Sequence, residues 1–195
     1  MEQLNHQLFL LINATPESPE WLIQFADFIA VYAINIIPVV LLIGWLWLPQ
    51  RKLVLKIIIA LAIAVLTAKM LSSIYPHSRP FVEHIGHQFL NHSATPSFPS
   101  SHGTIAFTFA LAFILWGRIS QAVAFFSLAL MIAWARVYLG VHWPLDMLAA
   151  LLVSLLSCAI TQYIWSRVGR VILVKSARFY RYLFGISIKK NGVKY

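Results

Sequence analysis

Long apolar runs broken by short polar punctuation set the organisation of this chain. A helix needs about 20 mainly apolar residues to cross a hydrocarbon layer about 30 Å thick. Runs at residues 21–48, 54–74, 105–116 (Ser101 being the earliest start), 122–137 and 145–164 predict five membrane-spanning helices. The first run is over-long and contains Asp27 near one end and Pro38 within. A kink or a broken helix is expected there, because proline removes a backbone donor and clashes with the preceding turn. Residues 7–11 read as a short amphipathic helix lying on or dipping into the membrane. The breaks are Pro49-Gln50-Arg51-Lys52, Gly117-Arg118 and Trp143-Pro144, the last placing proline at a first helical position. Residues 76–99 form the one long polar loop, with Pro76, Pro80, Pro96 and Pro99 in it. No internal repeat is visible, nor the paired inverted halves typical of transporters.

Composition agrees with this pattern. Of the 195 residues, 60% are hydrophobic and 11% are charged, whereas soluble domains carry roughly 25% charged residues. The expected fold is an all-α integral membrane bundle of about five spans, with a short N-terminal helix. One membrane domain is expected over residues 1–166, and a basic cytoplasmic interfacial tail over residues 167–195.

The net charge of +9 is concentrated towards the C-terminus, and no acidic residue follows Asp146. Beside an apolar span, such basic residues mark the cytoplasmic side and contact with anionic lipid rather than nucleic acid. Residues 167–184 mix bases with apolar and aromatic side chains, as an interfacial amphipathic helix does; a solvated basic end is the plainer alternative. Arg51, Lys52 and Lys56 assign the first connection to the inside, and Arg118 assigns the third. Five crossings then put the loop 76–101 and the turn 138–143 on the same outer face. Cys158 is the only cysteine, which excludes an internal disulfide. The N-terminal residues lack the basic stretch of a cleavable signal peptide, and the apolar run 8–12 is too short for one.

Three polar clusters stand at the edges of the apolar runs: Pro76-His77-Ser78-Arg79-Pro80, Pro99-Ser100-Ser101-His102-Gly103, and Arg136 through Asp146. Ionisable groups at membrane depth are costly and usually functional. Ser100 or Ser101 is placed to cap the third span, whose N-terminus favours an anion, and Gly103 permits close backbone approach. An ordinary cap followed by an exposed His102 is the alternative. His142 and Asp146 are four residues apart and share a face if helical geometry holds. A carboxylate on one imidazole nitrogen raises the basicity of the other and prepares a nucleophile; an interfacial histidine beside a capping aspartate is the competing reading. Arg79 and Arg136 supply guanidinium groups suited to phosphoryl oxygens, although Arg79 at a boundary also fits a snorkelling side chain. Lys69 lies seven residues before Pro76, about 10 Å below the helix end, either as a third cation at the pocket floor or as a buried charge with its own partner. His84 and His87 have ligand-like spacing beside Glu83, but a third zinc ligand is not evident, and loop contacts explain them more simply.

Together the clusters resemble the signature of the type 2 phosphatidic acid phosphatase (PAP2) superfamily: Lys-x6-Arg-Pro, Pro-Ser-Gly-His and Ser-Arg-x5-His-x3-Asp. The matching residues are Arg79-Pro80, then Pro99-Ser100 and His102, then Arg136, His142 and Asp146. The stretches 76–81 and 138–146 look most like the bacterial undecaprenyl-diphosphatases of the bacitracin-resistance type. There are departures. The family lysine would fall at Ser72, and Lys69 is one turn earlier; Ser101 replaces a glycine and Ala135 a serine.

The resemblance implies a nucleophilic His142 oriented by Asp146, with His102 as proton donor to the departing oxygen. Phosphoryl oxygens would be held by Arg79, Arg136, Ser100, Ser101 and Gly103, with Lys69 as a further cation. It implies no metal or other cofactor, a polyprenyl diphosphate lipid as substrate and membrane lipids as partners. Another lipid phosphate as substrate, or an anion or lipid carrier using the same cations, are the remaining readings. Soluble vanadium haloperoxidases share the motifs, but five apolar spans argue against them.

Overall fold

The computed structural model describes residues 2–46 and 50–184, with side chains to residue 178. The helices are α1 (Glu2–Ile12), α2 (Glu20–Tyr32), α3 (Ile36–Leu46), α4 (Arg51–Ile74), α5 (Ser101–Trp116), α6 (Ile119–Tyr138) and α7 (Pro144–Phe184). No strand occurs among the described residues. Four stretches are long and apolar enough to cross a membrane: Glu20–Leu46, Arg51–Ile74, Ile119–Tyr138 and Pro144–Arg178. The protein is a multi-pass membrane protein with an all-helical fold.

The first span breaks as its proline dictates, but the break lies before Pro38 rather than at it. A short 3₁₀ turn, Ala33–Asn35, separates α2 from α3. Pro38 has no N–H to donate to Ile34, and its ring crowds that carbonyl, so the disturbance appears one turn upstream.

α5 is the shorter apolar helix, at 16 residues. Its buried residues run almost without interruption from Gly103 to Phe113. A helix apolar all round is a core helix, and α5 accordingly packs between α4 and α6. Alanines give the close approach: Ala60 and Ala64 on α4, Ala110 and Ala112 on α5, and Ala129 on α6 are at most 1% exposed. Between them the rings of Phe109, Phe113 and Phe125 meet with centroids 4.6 to 5.0 Å apart. Against α7, the hydroxyls of Thr108 and Ser154 lie 2.9 Å apart and reach the carbonyls of Thr104 and Ala150, both at 2.7 Å. These polar groups need internal partners in a membrane interior.

The chain divides into two compact units, Met1–Thr161 and a second beginning at Gln162. In the second, the helical backbone continues to Phe184, and Arg167 lies 5.3 Å from the centre of the Tyr163 ring. The sequence places the end of the last apolar run at residue 164. Its helix does not stop there, because no proline or glycine pair interrupts the basic stretch that follows. The remainder of the expected tail, residues 185–195, lies outside the described residues.

Loop and turns at the far ends of α4 and α6 are tied together by the N-terminal helix. The amide of Asn13 donates to the carbonyls of His87 (2.9 Å) and Tyr138 (3.0 Å) and accepts from the His87 N–H (2.7 Å). Gly140 closes α6 with φ +80°, and a Cβ there would stand 2.1 Å from the His87 carbonyl oxygen. Gly140→Ala is therefore expected to lower folding stability by about 2 kcal/mol or more, the left-handed backbone alone costing about 1–2 kcal/mol. Thermal unfolding of the detergent-solubilised protein measures this, and an unchanged midpoint would contradict the constraint.

Candidate active site

Asp146 is the residue on which the site converges. It occupies the third position of α7, and its Oδ2 accepts the Trp143 N–H at 2.9 Å, so the first turn caps itself. The same oxygen accepts from the Ser97 hydroxyl and lies 3.1 Å from His142 Nδ1. Ser97 Oγ is also 3.2 Å from Nδ1. Residues Ser97, His142 and Asp146 are all at most 2% exposed.

The opposite face of the imidazole fixes its tautomer. Arg79 Nη1 donates to His142 Nε2 at 3.1 Å. A guanidinium has no acceptor, so Nε2 carries the lone pair and Nδ1 the proton. Burial drives the pKa of His142 well below the ordinary imidazole value, against the hydrogen bond and charge of Asp146. The ring is thus held neutral, with its basic nitrogen facing Arg79.

The two arginines differ in their partners. Arg79 donates Nε to the Thr95 carbonyl (2.8 Å), Nη1 to the Val141 carbonyl (2.8 Å) as well as to His142, and Nη2 to Thr95 Oγ1 and the Pro96 carbonyl (both 3.3 Å). It straps the long loop to the His142 turn. Arg136 is 2% exposed, yet its Nε and Nη2 have no hydrogen-bond partner. Both guanidinium groups act electrostatically on His142 and on His102. A buried guanidinium with unanswered donors is costly unless an anion answers them.

Ser100 is fully buried as the N-cap of α5, accepting the Gly103 N–H at 3.2 Å. The Gly103 N–H is thus engaged by the cap. Gly103 is also a packing residue: a Cβ would meet Met147 Sδ at 3.0 Å and Ala150 Cβ at 3.1 Å on α7. His102 is partly buried in the first turn of α5, and Ser101 is exposed beside it. Lys69 is not brought to the pocket floor. It is exposed on α4, because the inward stripe is Ala60, Ala64 and Ala68, and one further residue turns the side chain about 100° away.

Several contributors carried little signal in the sequence. Ser97 and Thr95 sit in a Ser- and Pro-rich stretch where no periodicity distinguishes one hydroxyl from another. His92 comes from the same loop to within 6.2 Å of the His142 ring, centre to centre, and burial lowers its pKa too. Trp143 is wholly buried, stacked on His6 at 4.7 Å, edge-on to Phe9 at 5.0 Å, and donating to the Ser78 carbonyl at 2.8 Å. Asn5 accepts the Leu145 N–H at 3.1 Å and so caps α7 from α1. Among the described residues no three His, Cys, Asp or Glu side chains are grouped to hold a metal ion.

A neutral, carboxylate-backed imidazole against one guanidinium group, with the charge of a second acting on it, at the end of a membrane bundle defines the class. The chain belongs to the PAP2 superfamily, whose pattern it matches over residues 53–170, and it is a membrane phosphatase. Among its relatives, "Putative undecaprenyl-diphosphatase YbjG" of Escherichia coli (strain K12) is 47% identical over 100% of this chain and 99% of its own. Undecaprenyl-diphosphatase BcrC of Bacillus subtilis (strain 168) is 30% identical over 78% of this chain and 80% of its own. The crystal structure of Aquifex aeolicus LpxE shares the fold, with a TM-score of 0.73 and 24% identity over 82% of this chain and 95% of that one.

Two outcomes follow from the geometry. Hydrogen bonds to charged groups contribute about 1.5–3 kcal/mol, so Ser97→Ala is expected to lower kcat about tenfold or more with little change in KM. Unaltered steady-state kinetics would remove Ser97 from the site. The second concerns pH. Because the folded-state pKa of His142 lies below its unfolded value, the unfolded chain binds more protons in the interval between them. The stability contributed by neutral His142 is complete above about pH 6.5 and is lost as pH falls. The melting temperature should decline from pH 7.5 to 4.5, and less steeply in His142→Gln; parallel declines would refute the assignment.

Proposed function

We propose that this protein hydrolyses undecaprenyl diphosphate to undecaprenyl phosphate and inorganic phosphate through a phosphohistidine. The observation that carries the reading is Arg136, buried with two unanswered donor nitrogens and close enough to His142 for its charge to act on the ring. The names of the relatives YbjG and BcrC supply the choice of lipid.

In this mechanism the terminal phosphoryl group enters between Arg136 and His142. The Arg79 N–H that rests on Nε2 passes to a phosphoryl oxygen, which frees the lone pair. Nε2 attacks phosphorus, and the bond from phosphorus to the bridging oxygen breaks. His102, protonated as the anionic diphosphate enters, gives that proton to the bridging oxygen, and undecaprenyl phosphate leaves. The imidazolium formed on His142 is stabilised through Nδ1–H by Asp146, which Ser97 and the Trp143 N–H hold in place. Water then attacks the phosphohistidine, returns a proton to His102 and releases phosphate. Arg79 and Arg136 neutralise the charge that shifts among the oxygens, where most of the catalysis of phosphoryl transfer resides. Ser100 and Ser101 line the same helix start. No step needs a metal ion.

Placement follows from charge. Arg51, Lys52, Lys56 and Arg118 lie at the ends of the spans opposite the site, which supports a cytoplasmic position for them and an extracytoplasmic active site in the bacterial plasma membrane. Tail residues 167–195 would then be cytoplasmic. Carrier lipid released outside after wall synthesis would thereby be recycled.

The test is acid quench with substrate labelled in the terminal phosphate, in detergent with chelator present. Label is expected on His142, and His142→Ala should reduce turnover at least a thousandfold. Arg136→Ala should raise KM and lower kcat together. Full activity in either variant rejects the mechanism. Initial rates on phosphatidic acid, phosphatidylglycerol phosphate and a lipid A phosphate decide the substrate, and a faster rate on any of these would replace the diphosphate.

A further inference from the structure

The end of the bundle away from the catalytic centre holds a second concentration of positive charge. A cleft of about 450 Å³ opens there, between the start of α4 and the connection from α5 to α6. Along α5 alone it is about 24 Å from the site, at 1.5 Å per residue over the helix. Lys52, Lys56 and Arg118 line it, with Trp116 and Gln121.

Lys56 is the unusual member. Lys52 and Arg118 are exposed, as topology-setting bases are, but Lys56 is only 5% exposed. Its Nζ lies 4.0 Å from the centre of the Trp116 ring. An ammonium that merely marked the inner side would extend to water along its own stem. This one is turned inward over an aromatic face, at a cavity wall.

The chain places none of its aspartates or glutamates in the helices around these charges. Its six acidic residues are Glu2, Glu17, Glu20, Asp27, Glu83 and Asp146. None falls in α3, α4, α5 or α6. The N-termini of α4 at Arg51 and α6 at Ile119 also point to this end and add their partial positive charge. Gln121 completes the lining, and the oxygen of its amide is buried without a partner. Rotation of that amide would present its NH₂ group instead. Three cations, two helix starts and an amide around a cavity are the donor set of a site for a tetrahedral oxyanion.

We propose that this cleft binds a phosphate group, carried by an anionic phospholipid of the leaflet at that end or supplied as free phosphate. Lys56 and Arg118 would hold its oxygens, and Trp116 would cover the lysine stem. The inference is independent of the substrate and of the phosphohistidine step, since no residue of the cleft belongs to the catalytic end.

Native mass spectrometry of the full chain in a neutral detergent tests it, with dioleoyl phosphatidylglycerol and dioleoyl phosphatidylcholine as probes. Phosphatidylglycerol should be retained at least fivefold over phosphatidylcholine. Lys56→Gln and Arg118→Gln should each lower that retention at least fivefold while turnover stays within twofold of the parent. Inorganic phosphate is the second arm. If it raises the melting temperature of the parent but not of Lys56→Gln, while the two lipids are retained equally, the site stands and its occupant is the free anion. Lipid retention and phosphate response unchanged in both variants would overturn the proposal. Should Lys56→Gln fail to fold, Arg118→Gln at the exposed rim decides by the same criteria.

Discussion

One carboxylate oxygen organises the candidate-site end of this protein. Oδ2 of Asp146 accepts from the Ser97 hydroxyl and the Trp143 N–H, and faces the Nδ1 proton of His142. Each of these bonds serves a different level of structure. The Trp143 bond starts α7, the Ser97 bond pins the long loop, and the His142 bond sets the tautomer. A buried carboxylate without such donors would be expensive to desolvate; with them it becomes the anchor from which the turn, the loop and the helix take their positions. The geometry of the imidazole is therefore a by-product of how the last span begins.

Charge is arranged around this anchor asymmetrically. Arg79 is engaged at rest by the scaffold, with acceptors on Thr95, Pro96 and Val141, and only its bond to His142 is free to pass to a ligand. Arg136 retains donors with no internal acceptor. Two residues of the same type, both buried, thus divide between holding the scaffold and leaving capacity for an anion. The resemblance of the motifs treats them alike; only their hydrogen bonds separate them. Membrane burial sharpens the contrast, because water is not at hand to satisfy the donors left over.

Much of this was legible in the chain. Apolar run length gave the spans, and Pro38 announced the interrupted first one. The placement of Arg136, His142 and Asp146 around the last break pointed to the turn that carries the candidate site, because the four-residue spacing becomes a contact once α7 starts at Pro144. What the sequence concealed was of two kinds. Ser97, Thr95 and His92 act through a loop that lacks any period, so their positions depend on tertiary bonds rather than on spacing. Lys69 was misleading for the opposite reason. Proximity along the helix suggested the pocket, but its azimuth turns it outward from the stripe of Ala60, Ala64 and Ala68. Gly103 has, besides, a packing role against Met147 and Ala150 that its sequence context does not show.

The amide ties from α1 have a consequence for biogenesis. Asn5 bonds to a residue 140 positions later, and Asn13 to one 125 positions later. A ribosome delivers the chain from its amino end, so the first helix must wait through the insertion of every intermediate span before its acceptors exist. His142 and Asp146 also emerge only then. The candidate centre is therefore assembled only once the last hydrophobic segment has entered the bilayer, and a half-built protein lacks it.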